Sequence, residues 1–171
     1  MKILFISMVP FESNESATIR NKSLIVGLIK LGHSVDTITM KPLENSINYD
    51  NSMNDIKKLV NNFYYINVNP LYNKLMAKNN NINLPNNKSS LLKKVLVKIR
   101  YIIKKIYDKT SIFDAQKFNV KGVSKLKINY YEYDIIITSS DPKSSHLIAK
   151  RIFKENRKCK AKWIQQWGDP M

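Results

Sequence analysis

Residues 2–40 read KILFISMVPFESNESATIRNKSLIVGLIKLGHSVDTITM, and this stretch decides the fold. The run Lys2–Ser7 is apolar and leaves no room for a helix before Pro10, so it predicts a buried strand. Apolar residues then recur at helical spacing, at Ile19, Leu24, Leu28 and Leu31, with Ile25 and Val26 beside them. Gly32 takes the position at which helices end, and a β-prone run over 35–40 predicts a second strand. Strand, helix and strand in about 40 residues make a βαβ unit with parallel strands.

The rest of the chain continues this alternation. The pattern predicts a helix over 53–62, a strand over 63–68, an Asn-rich loop over 69–89, helices over 90–108 and 114–130, a strand over 134–140, a helix over 143–155 and a strand over 161–167. The predicted fold class is therefore α/β, a Rossmann-like doubly wound parallel sheet of about five strands in the order 3-2-1-4-5. Residues 1–171 are predicted to form a single domain, in which 69–132 is a helical, basic, insertion-like region.

The composition indicates a globular chain with an anionic partner. Hydrophobic residues make up 43%, and 29 Lys and Arg against 13 Asp and Glu give a net charge of +16. That charge favours a nucleic acid, an anionic membrane face or a phosphorylated substrate, although ordinary solvated surface explains part of it equally well. One cysteine, two His without ligand spacing and no apolar run of about 20 residues predict no disulfide, no metal site and no membrane span.

Ligands of doubly wound sheets bind outside the carboxyl ends of the strands, and three predicted loops reach that edge with polar residues. After the first strand come Pro10, Ser13, Asn14, Ser16 and Arg20, where helix N–H groups can hold an anion. After the fourth come Ser139, Ser140, Asp141, Ser145 and His146, and after the fifth come Trp167, Gly168 and Asp169. We predict that these residues bind substrate and that Asp169 acts as an acid or base. Structural roles stay open as helix caps for Ser16 and Asp141, as a core residue for His146 and as a turn residue for Asp169.

Residues 90–107 combine an apolar stripe with a basic face. The cations expected at a membrane surface are Lys94, Lys98, Arg100, Lys104 and Lys105. Such a helix suits the interface of an anionic membrane, and a surface helix whose stripe packs on the sheet is the open alternative. No nucleic-acid reader motif appears, so nucleic acid is not predicted as a partner. The protein is expected to be cytoplasmic, with the inner face of the cytoplasmic membrane as a site of peripheral attachment.

Two segments of the chain, residues 2–40 and 133–171, resemble family 4 glycosyltransferases. The opening 2–40, with Gly32 and His33 between its helix and second strand, is similar to the opening of that family. The run YDIIITSSDPKSSHLIAKRI over 133–152 is similar to the family's Ser-Ser-x-Pro-x-Ser-x-His element. The end KWIQQWGDPM over 162–171 is similar to its Trp-Ile-x-Asp-Phe-x-Asp-Pro-Trp element.

This resemblance implies the acceptor-side half of a GT-B architecture in a retaining enzyme. Such enzymes move a sugar from a nucleotide-sugar to a surface-glycan or lipid-linked acceptor, with no bound metal or cofactor. The resemblance places Asp169 among the acceptor-side catalytic groups, whereas Gly168 and Met171 stand where Arg and Trp are usual. We expect the chain to be truncated before its donor-binding domain and inactive alone, because transfer needs both halves of the cleft. The alternative is a non-catalytic basic α/β module, a degenerate remnant that binds a membrane surface or a partner protein.

Overall fold

A parallel sheet organises the part of the chain that the computed structural model describes, residues 1–42, 48–69, 98–99, 101–102, 105 and 114–168. Its five strands lie in the order β3-β2-β1-β4-β5. They are β1 Lys2–Ser7, β2 Ser34–Met40, β3 Asn62–Ile66, β4 Ile135–Ser139 and β5 Lys162–Gln166. Every pair is parallel. The predicted α/β class, Rossmann-like sheet and strand order are thus confirmed.

Helices cover both faces of this sheet. The α-helices are α1 Ser16–Lys30 and α2 Ser144–Glu155, and the 3-10 helices are Asn51–Lys58, Ala115–Lys125 and Tyr130–Glu132. Because strand side chains alternate, Ile3, Phe5 and Ile137 pack on the α1 face while Leu4, Ile6 and Ile136 pack on the α2 face. A parallel sheet buried on both sides has near-continuous apolar strands, which is what the sequence shows in β1 and β4.

Helix α1 turns a different face to the sheet than its apolar spacing predicts. Ile25, which lies beside the predicted stripe, is buried, whereas Ile19 and Leu31 of that stripe are exposed. The buried face contains a polar residue instead, because the Asn21 side-chain amide donates a hydrogen bond to Ser7 Oγ over 3.1 Å. At the end of α1 the prediction is correct: Gly32 has a φ of +80°, and its N–H bonds the Ile29 carbonyl.

Two predicted α-helices are 3-10 helices in the structure. The prediction over 53–62 corresponds to Asn51–Lys58, and that over 114–130 to Ala115–Lys125 followed by Tyr130–Glu132. Asp50 and Asp114 each accept a hydrogen bond from the backbone N–H two residues on, a local contact that begins a tight turn. No helix within the described ranges is both long and apolar enough to cross a lipid bilayer.

Candidate functional site

The carboxyl ends of β1, β4 and β5 meet at one corner of the sheet. Ser139, the last residue of β4, pairs with Gln166, the last residue of β5. Ile6 pairs with Thr138, so Ser7 follows level with Ser139. Alternation turns Ser7, Ser139 and Gln166 toward α1, and Thr138 toward α2. We call the group Ser7, Arg20, Asn21, Ser139, His146 and Gln166 the carboxyl-edge corner.

Buried polar atoms without a hydrogen-bond partner among the described residues occur on both faces of the sheet at this corner, with His146 Nε2 on the α2 face and the others on the α1 face. They are Arg20 Nε, Asn21 Oδ1, Ser139 Oγ, His146 Nε2 and Gln166 Oε1. Leaving a buried polar atom unpaired costs about 1–3 kcal/mol, so folded proteins contain few of them. Asn21 and Ser139 are only 1% and 0% exposed. Five such atoms at the edge where this fold class binds its ligands indicate a polar binding site.

The distances around His146 favour one of the two tautomers of its neutral ring. Trp163 Nε1–H donates to Thr138 Oγ1 over 2.9 Å, and Thr138 Oγ1 lies 2.7 Å from His146 Nδ1. The threonine hydroxyl has one proton, and its other acceptor, the Ile164 carbonyl, is 3.5 Å away. The short contact therefore takes that proton, and Nδ1 accepts it. The imidazole proton is then on Nε2, which makes it an unpaired buried donor.

Burial also keeps this imidazole neutral, since desolvation lowers the pKa of His146 below its ordinary value. We expect ¹⁵N NMR to show an Nε2–H tautomer that titrates below about pH 6.5. Because the unfolded chain binds a proton more readily, the stability from this site is complete above about pH 6.5 and is lost as the pH falls through the folded pKa. A His146→Gln chain should lack this part of the acid dependence. Titration at or above pH 6.5, or a proton on Nδ1, would contradict the assignment.

An ion pair spans the corner between α1 and the loop after β4. Arg20 Nη2 lies 2.6 Å from Asp141 Oδ2. The sequence offered Asp141 as the cap of the following helix, and this is wrong, because the cap position of α2 is Lys143 and its side chain makes no cap hydrogen bond. Asp114 caps α2 from a distance instead, accepting from Ser144 N over 2.9 Å and from Ser144 Oγ over 2.7 Å.

The loops after β4 and β5 are tied to each other and to β1. Ser140 Oγ accepts a hydrogen bond from Gly168 N over 2.5 Å, and Ser145 Oγ accepts one from Met8 N over 3.0 Å. The Trp167 ring, 58% exposed, lies against His146 with 4.5 Å between ring centroids. These contacts hold three separate stretches of chain together. The hydroxyl oxygens of Ser140 and Ser145, both predicted to bind substrate, accept structural hydrogen bonds here.

The loop after β1 reaches the same edge, but most of its polar groups form hydrogen bonds within the loop or to the neighbouring backbone at Asn48. Ser13 Oγ donates to Glu15 over 2.8 Å, and Asn14 N donates to the carbonyl of Asn48 over 2.8 Å. Pro10 supplies a carbonyl to Ser13 N. Ser16 is the first residue of α1 and is exposed, and the cap before it is Glu15, whose side chain makes no cap hydrogen bond. Of this loop and the helix after it, Arg20 and Asn21 take part in the corner.

Sequence reasoning missed three members of the corner, Ser7, Asn21 and Gln166, and one buried acid. Asn21 lies one turn from Ala17 and Ile25, so a polar residue on the buried stripe was the available signal. Gln166 carried none beyond its place at a strand end. Glu12 is 1% exposed, and its Oε1 receives the Tyr65 hydroxyl and lies 2.7 Å from Lys57 Nζ, an arrangement that fastens the first loop to β3.

Several predicted site residues lie outside the described part of the chain. They are Asp169, Lys94, Arg100 and Lys104. Lys98 and Lys105 are described and are exposed in helical backbone. Among the residues that the structure describes, no group of three His, Cys, Asp or Glu side chains could hold a metal ion.

Comparison with known proteins adds no relative. The chain matches no protein-family model, no curated protein and no solved structure. The case for a function therefore depends on the corner and on the two segments that resemble family 4 glycosyltransferases.

Proposed function

We propose that this chain is the acceptor-binding domain of a retaining glycosyltransferase, which transfers a sugar from a nucleotide-sugar to a surface-glycan or lipid-linked acceptor. The observation that carries the proposal is the set of unpartnered oxygens at the corner: Asn21 Oδ1, Ser139 Oγ and Gln166 Oε1. The two amide oxygens only accept hydrogen bonds, and a serine hydroxyl can accept as well. A ligand that satisfies all three must therefore present several donors close together, as the hydroxyl groups of a sugar do.

The surroundings of these oxygens support the same ligand. His146 Nε2–H adds a neutral donor for a sugar oxygen, and the exposed ring of Trp167 offers an apolar face beside it. Small-molecule sites commonly join an apolar wall to a few placed polar groups. The segments that resemble the glycosyltransferase family have Ser139 and His146 at the Ser and His positions of its element, whereas Gln166 stands where the second element has Asp.

A serine-to-alanine change tests this proposal without disturbing the fold. Ser139→Ala removes a buried hydroxyl that has no described partner, so the free energy of unfolding should stay the same or rise. Affinity for a saccharide should fall about three- to tenfold, the value of one hydrogen bond. Binding of a panel of methyl hexosides and methyl N-acetylhexosaminides is measured by saturation-transfer NMR, and stability by urea denaturation.

Ser23→Ala is the matched control, because Ser23 is an exposed serine of α1 that bonds only the carbonyl of Ile19. It should leave saccharide binding unchanged. If no saccharide of the panel binds, or if Ser139→Ala binds as well as the original chain, the corner is not an acceptor site.

A second function, peripheral membrane binding, is favoured by the described helical residues 98, 99, 101, 102 and 105. Ile99 and Ile102 of the apolar stripe are 46% and 47% exposed, and Lys98, Tyr101 and Lys105 are exposed beside them. A stripe packed on the sheet would have buried these isoleucines. An exposed apolar surface with Lys on its flanks suits the headgroup region of an anionic bilayer.

The chain on either side of residues 70–113 begins and ends at the edge that holds the corner. Asn69 lies three residues past β3, and its backbone N–H donates a hydrogen bond to Asn119 Oδ1 over 2.7 Å. Asp114 caps α2, which begins beside His146. A lipid-linked acceptor bound at the corner would reach the same edge of the sheet.

A further inference from the structure

We propose that Arg20 is the residue of the corner that binds a phosphoryl group, and that the Asp141 carboxylate holds this place until the ligand displaces it. The inference deepens the proposed function, since it names a phosphorylated ligand for the same corner. Its chemistry does not require the sugar, so it can be tested with a phosphate compound alone.

The contact between Arg20 and Asp141 leaves donors of the guanidinium unused. One carboxylate oxygen, Asp141 Oδ2, meets one nitrogen, Nη2, at 2.6 Å. Nε is buried and has no partner in the part of the chain that the structure describes. Guanidinium groups bind phosphate through two parallel N–H donors, and a phosphoryl group has the oxygens to engage Nη2 and Nε together. The Asp141 carboxylate therefore engages only one of the two guanidinium nitrogens, Nη2 and Nε, that a phosphoryl group could bind together.

The Asp141 carboxylate is seated against bare backbone. A Cβ built on Gly168 would lie 2.6 Å from Asp141 Oδ2 and 3.3 Å from Ser140 Oγ. A side chain at position 168 would force the Asp141 carboxylate to shift from this position, so the glycine leaves room for the anion. Ser140, which borders this space, donates its backbone N–H to the Gln166 carbonyl at the end of β5.

This ion pair is exposed enough to be exchanged. The side chains of Arg20 and Asp141 are 37% and 52% exposed, and pairs of this kind contribute little to stability. A diphosphate brings more negative charge and more acceptor oxygens than one carboxylate, so it competes well for the guanidinium. When it binds, Asp141 moves into solvent and loses little.

The test measures the binding of inorganic pyrophosphate to the 171-residue chain by isothermal titration calorimetry. Asp141→Asn removes the competing charge and should tighten binding at least about threefold. Arg20→Gln removes the charged donors and should weaken it roughly tenfold or more. In the double variant the Asp141 change should have no further effect, because its partner is gone.

The ion pair of Arg151 and Glu155 on α2 is the matched control. Its atoms lie 2.7 Å apart and its side chains are 34% and 38% exposed, so Arg151→Gln and Glu155→Gln make the same charge changes away from the corner. If Arg151→Gln weakens pyrophosphate binding as much as Arg20→Gln, the effect is one of net charge and the proposal fails. It also fails if Asp141→Asn leaves the affinity unchanged in a chain that melts normally.

Two further ligands identify the source of the phosphoryl group. Geranyl diphosphate represents a lipid-linked acceptor and uridine diphosphate a nucleotide donor, and the Arg20 and Asp141 effects should be larger for geranyl diphosphate. Equal or larger effects for uridine diphosphate would overturn the assignment to the acceptor. If the original chain binds pyrophosphate but no saccharide, the proposed function fails and the phosphoryl site stands. If it binds a saccharide but not pyrophosphate, the phosphoryl site fails and the proposed function stands.

Discussion

A chain that carries Lys94→Glu, Lys98→Glu and Lys105→Glu should bind anionic vesicles more than about a hundredfold less tightly. Each lysine near an anionic surface contributes about 1 kcal/mol, and its reversal to Glu adds repulsion of similar size. Co-sedimentation with vesicles of phosphatidylcholine, with and without phosphatidylserine, measures the change. Salt should weaken the binding of the original chain in the same assay, because it screens these charges.

A second triple variant distinguishes the effect of this segment from the effect of the net charge of the chain. Lys150, Lys154 and Lys158 are exposed on α2 and the turn after it, and their change to Glu alters the net charge by the same amount. This control chain should keep most of its vesicle binding. Equal losses in the two triple variants, or equal binding of the original chain to neutral and anionic vesicles, would refute a membrane-binding segment at 90–107.

Replacement of Asp114 by Ala should lower the free energy of unfolding by about 2–4 kcal/mol. One carboxylate caps two helices, accepting from Gln116 N over 2.9 Å and from the backbone and hydroxyl of Ser144. A single helix cap contributes about 0.5–2 kcal/mol, and hydrogen bonds to a charged group are the stronger kind. Urea denaturation measures the loss, and the NMR signals of His146 should shift because α2 carries it into the corner.

Asp50→Ala is the control for this loss. Asp50 caps only the helix Asn51–Lys58, through Ser52, and it is farther along the sheet from α2. It should lower the free energy of unfolding by less than Asp114→Ala does and leave the signals of His146 in place. A cost of less than about 1 kcal/mol for Asp114→Ala would mean that other groups hold the start of α2.

The strands and their order follow from local pattern, because a buried parallel strand is a short apolar run and the doubly wound rule arranges such runs. The contacts that build the corner do not follow from it. Arg20 and Asp141 are 121 positions apart, and Asp114 caps a helix that begins 30 residues later. Asp141 has the right identity and spacing for a cap, but the guanidinium across the corner binds its carboxylate, and this competition is decided by three-dimensional proximity.

The stripe of α1 shows the same limit on a smaller scale. Apolar spacing grouped Ile19 with Leu28, since both recur at helical intervals, yet Ile19 faces solvent. The buried face of the helix includes Asn21, which donates a hydrogen bond to Ser7. A polar residue has no weight in a count of apolar positions. Where side chains serve a site, the pattern of hydrophobic residues is a poorer guide to what is buried.

Strand β5 has a consequence for the behaviour of the chain in concentrated solution. In the described part of the sheet it pairs only with β4, and Ile164 is exposed on it. An edge of this kind can be extended by another copy, which is how many proteins aggregate. Lys158, Lys160 and Lys162 are all exposed along or just before that strand, and their repulsion opposes the alignment of two edges. Part of the positive charge thus serves colloidal stability and needs no ligand to explain it.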